Sequence, residues 1–197
     1  ILMFSMYPDA KVFYREYVQN AYDAIVEATR KGVLPAVKDG NISININTSE
    51  RYISILDNGI GISVADVPKF LLNIADGNKD GITTAGQYGI GRLVGARYCK
   101  KLIFKTSTIG EEKYSEVIFD TDLAQKIIHD KNDHSTATEV IARITSINYG
   151  DENIDDHYFE VKMEDVDTSY KELLKPNVIK EYLQEVAPID YELEFKN

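Results

Sequence analysis

Asn41-Ile42-Ser43-Ile44-Asn45-Ile46-Asn47 alternates polar and apolar residues without a break, and Arg51-Tyr52-Ile53-Ser54-Ile55-Leu56 follows after Thr48-Ser49-Glu50. Period-two alternation marks a strand with one face in a core and the other in water, and the short polar segment turns the chain back as a second strand. Asp57-Asn58-Gly59-Ile60-Gly61 stops that strand. On the other side of the hairpin, residues 11 to 31 read as one long helix. Phe13, Tyr17, Ala21, Ala24 and Ala28 recur at helical spacing with Val18 and Ile25 beside them, and Gly32 and Pro35 end it.

Further along, a helix is expected over about 63 to 74, then a loose, glycine-containing loop over 76 to 86. Gly86-Gln87-Tyr88-Gly89-Ile90-Gly91 leads into a helix ending near Cys99. Strands are expected over 101 to 109, 113 to 119 and Thr136 to Ile147, with a short helix over 121 to 129. Residues 150 to 157 read as an acidic loop, and a last helix runs from Asn177 to Val186, stopped near Pro188. Helix and strand arrive in blocks rather than in βαβ alternation. That favours an α+β two-layer sandwich, with a mixed, mainly antiparallel sheet and helices on one face.

The 197 residues suit a single domain over 1 to 197. The formal net charge of -10 and pI near 4.8 repel phosphate backbones, making nucleic acid a poor partner. No apolar run approaches the roughly 18 residues that span a bilayer, and no signal-peptide pattern opens the chain, so no membrane partner is expected. Cys99 is the only cysteine, which fits a reducing, cytoplasmic setting. The three histidines lack zinc-ligand spacing. A first residue other than Met and an abrupt end suggest a piece of a longer protein.

Three constellations carry chemistry. Glu16, Asn20, Asp23 and Glu27 fall on one stripe of the first helix. An acidic stripe is ordinarily a solvated face, but Asn20 is a poor helix former there. Its amide oxygen suits magnesium, and a carboxylate one turn earlier can deprotonate a water. Asp57 closes an apolar strand, where a partly buried carboxylate needs a donor such as an adenine amine; the bland reading is a plain turn. Residues 86 to 91 open a helix, whose free N–H groups attract anions. The segment is neither a P-loop nor a Rossmann fingerprint.

Together, Glu16 to Ala24, Asp57 to Gly61 and Gly86 to Gly91 resemble the three nucleotide boxes of the gyrase, heat-shock chaperone, histidine kinase and MutL (GHKL) ATPase superfamily. Within it the wording Gln87-Tyr88-Gly89-Ile90-Gly91, and the approach Leu72-Asn73-Ile74-Ala75, are most similar to the N-terminal ATP-binding domain of the 90-kDa heat-shock chaperone family. The resemblance implies the Bergerat-type ATP-binding fold, with a motif core over about 11 to 147 and an extension over 148 to 197. It implies ATP or ADP with Mg2+, hydrolysis, further domains, protein clients and a homodimer arrangement. It casts Glu16 as general base, Asn20 as magnesium ligand and Asp57 as acceptor from adenine, with Gly59 and Gly61 lining the base. Asp23, Asn73, Lys79, Gly86, Gln87, Tyr88, Gly89, Ile90 and Gly91 join the nucleotide set, residues 76 to 85 being the lid. Thr138, in Thr136-Ala137-Thr138-Glu139, stands for the threonine that supports the adenine-binding carboxylate.

Some positions depart from the pattern. Ala137 replaces a glycine and the lid is short. Arg92 replaces an aromatic after the last glycine; it reads first as a surface residue, second as a phosphate contact. Lys79 is open in the same way. Competing readings are a histidine kinase, whose phospho-accepting His would lie outside the chain, and a DNA-remodelling or mismatch-repair-type ATPase. A nucleotide switch without hydrolysis, and a globular domain with chance motifs, complete the alternatives.

Overall fold

The computed structural model describes residues 9–70, 90–187 and 194–196. Helix α1 spans Val12–Arg30 and buries Phe13, Tyr14, Tyr17, Val18, Ala21, Ile25 and Ala28, the stripe that the sequence periodicity marks. Strands β1 (Ile42–Asn47) and β2 (Tyr52–Asp57) form the antiparallel hairpin, with Ile44 opposite Ile55. Strands β3 (Lys101–Ser107), β4 (Lys113–Asp120), β5 (Thr145–Asp151), β6 (Tyr158–Glu164) and β7 (Glu194–Lys196) follow. The described sheet has seven strands in the order β5-β4-β3-β6-β2-β1-β7, all pairs antiparallel except β1 with β7. The mixed, mainly antiparallel α+β expectation holds.

Register explains the layering. Ile44, Ile55, Val161, Phe104 and Val117 lie side by side across five strands and face the helices. Their neighbours along each strand point to the other face, where Lys105 lies between Glu160 and Glu116 and Lys162 pairs with Glu160 at 3.3 Å. One face is apolar and covered, the other carries alternating charges, as half-buried strands require. On the covered face α1 packs on β1 and β2, and α2 (Thr121–His129) packs on β3. Helix α3 (Ala137–Ile144) packs on α2 and β4, and α4 (Pro176–Val186) on α1.

Two elements differ from the sequence reading. Residues 137–144 are helical, not extended. Thr136 accepts from the Glu139 N–H at 3.3 Å while the Glu139 carboxylate accepts from the Thr136 N–H at 2.7 Å. This reciprocal cap satisfies two N–H groups that a helix start otherwise leaves open, and it overrides the β-branched content of the segment. The strand begins only at Thr145. Strand β6, which the sequence reading passed over, sits in the middle of the sheet. Phe159-Glu160-Val161-Lys162-Met163-Glu164 alternates strictly, and that signal would have found it. The expected helix over 63 to 74 is present over 67–70. Its continuation and the loop over 76 to 86 lie outside the described residues.

Candidate nucleotide site

A cavity of about 440 Å³ opens between α1 and the sheet, within the usual range of roughly 300–1,000 Å³ for small-molecule sites. Tyr17, Asn20, Asp23 and Glu27 line it from α1, and Ile55, Asp57, Phe104, Phe159 and Val161 from the sheet. Ala21, Ala24, Ile60, Gly61, Ile62, Phe70 and Arg92 complete the described lining. Asn20, Asp23 and Glu27 of the helix stripe and the strand-end carboxylate, far apart in sequence, therefore face one space.

Asp57 is on the covered face one pair beyond the apolar row, opposite Ile42 on β1 and Phe159 on β6, and is only 4% exposed. The Gly59 N–H donates to its Oδ1 at 2.8 Å, and the Phe159 N–H also donates to the carboxylate. Burial dominates over both donors and pushes the carboxyl up to about 7. A carboxylate so placed gains most from a further donor arriving through the cavity.

The turn after Asp57 is tied to its surroundings on every side. The Ile60 N–H donates to Ala24 O of α1 at 3.1 Å. The Ile62 N–H donates to Thr106 Oγ1 at 2.9 Å, which donates to Tyr158 O at 2.8 Å, and Thr108 Oγ1 donates to Ile60 O at 2.8 Å. Gly61 has φ +66°, and a Cβ there would lie 1.8 Å from Ser107 O, so only glycine fits. Gly59 has a different task from the one expected. It does not line the cavity; a Cβ on it would meet the Ala24 Cβ at 2.6 Å, so its bareness lets α1 approach the turn. Thr106, Thr108 and Phe159 were missed in sequence, although alternation along 101 to 107 places Leu102, Phe104 and Thr106 on one face.

On α1, Asn20 and Asp23 are exposed to the cavity, Asp23 accepting from Gln19 Nε2 at 3.0 Å. Glu27 is ion-paired with Arg30 at 2.7 Å and Lys31 at 3.2 Å, which hold its carboxyl well below the usual range. Glu16 lies one turn before Asn20 but does not line the cavity; its Oε1 accepts from Arg15 Nη2 at 2.7 Å. Tyr17, buried, reaches across instead. Its hydroxyl donates to Arg92 O at 2.8 Å and accepts from the Gly95 N–H at 3.0 Å. It thereby fixes the 3-10 helix Ile90–Tyr98 that follows the glycine segment.

Arg92 is not a surface residue. It lines the cavity, and its guanidinium stacks 4.6 Å from the centroid of the Phe70 ring. Thr138 is not beside Asp57. It is exposed on α3, which the Thr136 cap makes helical, and the N–H groups of Gly59 and Phe159 support the carboxylate instead. Ile90 and Gly91 begin the 3-10 helix. Asn73, Lys79, Gly86, Gln87, Tyr88 and Gly89 lie outside the described residues.

The donor set fits a hard cation held mainly by its ligand. Asn20 offers a neutral amide oxygen at the cavity wall, and magnesium commonly takes one or two protein oxygens plus phosphates. Among the described residues no group of three His, Cys, Asp or Glu forms a self-sufficient metal cage.

A sequence model of the histidine kinase-, DNA gyrase B- and HSP90-like ATPases matches residues 11–150, which include α1, the Asp57 turn and the glycine segment. The chain belongs to this family. It is an ATP-binding domain, and the cavity lies between the matched α1 stripe and the matched Asp57 turn. Similar proteins include the chaperone protein HtpG of Clostridium perfringens, 28% identical over 190 residues, covering 89% of this chain and 30% of the relative. HtpG of Buchnera aphidicola subsp. Baizongia pistaciae is 29% identical over 76% of this chain and 27% of its own length. HtpG of Halalkalibacterium halodurans is 25% identical over 95% of this chain and 33% of its own. The chain thus spans about a third or less of the length of these relatives. No helix among the described residues is long and apolar enough to cross a membrane.

Proposed function

We propose that the domain binds magnesium-ATP with the base against Asp57 and the phosphates toward Asn20, and that its hydrolysis drives conformational change in a longer, chaperone-like protein. The buried Asp57 carboxylate facing the cavity carries this reading, because an adenine amine is the donor it lacks. Gly61 lets the ring approach, and Asp23 and Asn20 border the polar wall. Asn20 would hold magnesium, which when bound neutralises phosphate charge. The backbone of 86 to 91, with Asn73 and Lys79 before it, would wrap the phosphates. Glu16 would turn from Arg15 and take the proton of the attacking water.

The similarity to HtpG supports a chaperone setting within a longer protein; protein clients and a homodimer belong to the same proposal. The net charge of -10 argues against nucleic acid as a partner. Cys99 is buried, its thiol pushed up to about 12, and it suits a reducing cytoplasm without needing one. One observation favours a second reading, a nucleotide switch without hydrolysis: Glu16 is paired outside the cavity.

Turnover by this domain alone is expected to be slow. The test is single-turnover hydrolysis by wild type and Glu16→Ala, with ATP affinity measured on both. Unchanged affinity with turnover lower by about 10²-fold or more supports the base. Equal turnover in the two proteins sinks that role and leaves the switch.

A further inference from the structure

Arg92 presents a cation to the cavity with no anionic partner among the described residues. No carboxylate among the described residues forms an ion pair with it. The carboxylates that line the cavity are engaged elsewhere: Asp57 by two backbone N–H groups, Asp23 by Gln19, Glu27 by Arg30 and Lys31. Burial shifts the guanidinium downward. Among the described residues an aromatic face is what lies beside the guanidinium, and a guanidinium drawn out of water is destabilised until an anion arrives.

Its position along α1 says which part of a ligand it meets. The Asp57 turn packs against Ala24, through Gly59 and Ile60. The Arg92 backbone is bound two turns earlier, at Tyr17, on the Asn20 side of that turn. Tyr17 holds the carbonyl of Arg92 itself and the N–H of Gly95, so the base of the side chain is fixed. The Phe70 ring, itself against Phe104 and Phe159, fixes the head.

We propose that Arg92 is a phosphate-binding residue of this pocket, taking the phosphate chain of a nucleoside polyphosphate and making the site rank nucleotides by phosphate charge. This rests on the cavity being the nucleotide site. It adds that the chain carries within the pocket a guanidinium whose planar fork matches phosphate oxygens.

Calorimetric titration of ATP, ADP, AMP and adenosine, at fixed magnesium, into wild type, Arg92→Met and Arg92→Lys tests it. Wild type should bind ATP at least about tenfold more tightly than adenosine, and Arg92→Met should lose about tenfold or more for ATP with adenosine affinity unchanged. Arg92→Lys, which keeps the charge and fills most of the same volume, should lose roughly threefold to tenfold for ATP, again with adenosine unchanged. The ATP affinity of Arg92→Met should also depend less steeply on salt than that of wild type. Equal losses for ATP and adenosine in Arg92→Lys would make Arg92 a packing or base-stacking residue and overturn the proposal. So would unchanged ATP affinity in either variant. Failure of wild type to bind any of the four would overturn the nucleotide reading itself. Binding of all four with equal affinity would spare that reading and remove only the role of Arg92.

Discussion

The two walls of the cavity are built differently. On the sheet side backbone and hydroxyl hydrogen bonds tie Gly59 to Asp57, Ile60 to Thr108, and Ile62 through Thr106 to Tyr158, around a carboxylate that is 4% exposed. On the helix side Asn20, Asp23 and Glu27 stand on one face of α1, Asp23 held by Gln19 of the same helix and Glu27 by Arg30 and by Lys31 just past its end. The sheet wall is fixed before any ligand arrives, whereas the helix wall is polar, solvated and adjustable. A wall of the first kind can recognise a base by shape and donor position. A wall of the second kind suits groups that must rearrange around phosphates, a cation and a water.

The contrast can be broken most severely at Gly61. Gly61→Ala puts a Cβ 1.8 Å from Ser107 O at φ +66°, so we expect a loss of about 3 kcal/mol or more, seen by urea denaturation. The next largest effect is electrostatic. Asp57 ionises near its ordinary value of 3.8 in the unfolded chain but at about 7 in the folded one. The folded state therefore keeps the proton longer, and wild-type stability falls as pH rises through that window. Asp57→Asn removes this slope, so between pH 5 and pH 8 the variant should gain about 2–3 kcal/mol relative to wild type. Denaturation of both proteins at the two pH values measures it; parallel changes would place the carboxyl near its ordinary value.

Tyr17→Phe sharpens the comparison where the walls meet. It leaves the Gly95 N–H and Arg92 O without their partner, which should cost about 1–3 kcal/mol in denaturation and weaken nucleotide binding. Thr106→Val removes the staple on the Ile62 N–H and should cost about 1–2 kcal/mol by the same measurement. Glu16→Ala should be the mildest, within about 0.5 kcal/mol of wild type in stability, since its partner Arg15 is exposed and the pair is worth little.

The same contrast explains what could be read from sequence. Helix α1, the β1–β2 hairpin and the position of Asp57 were legible because each rests on local periodicity or a turn signal. The helix stripe and the strand-end acid could be named, and the fold brings Asp57 and all of the stripe except Glu16 to one cavity. The partners that hold the sheet wall were not legible, since Thr106 and Phe159 act from strands, and Thr108 from just past the end of β3, whose register is set by tertiary pairing. Thr138 failed for a local reason, the capping box at Thr136 and Glu139. Arg92 failed for a global one. Nothing in Gly91-Arg92-Leu93 says that the side chain turns inward onto Phe70; only the pairing of its backbone with Tyr17 and the aromatic floor decide it.

The central claim, that the fixed sheet wall recognises adenine through Asp57, is tested most directly by calorimetric titration of magnesium-ATP into wild type and Asp57→Asn at pH 8. The account predicts saturable one-site binding by wild type, and loss of about tenfold or more in affinity in a variant that remains folded. Unchanged affinity in Asp57→Asn would contradict it, and would move the base to another part of the cavity.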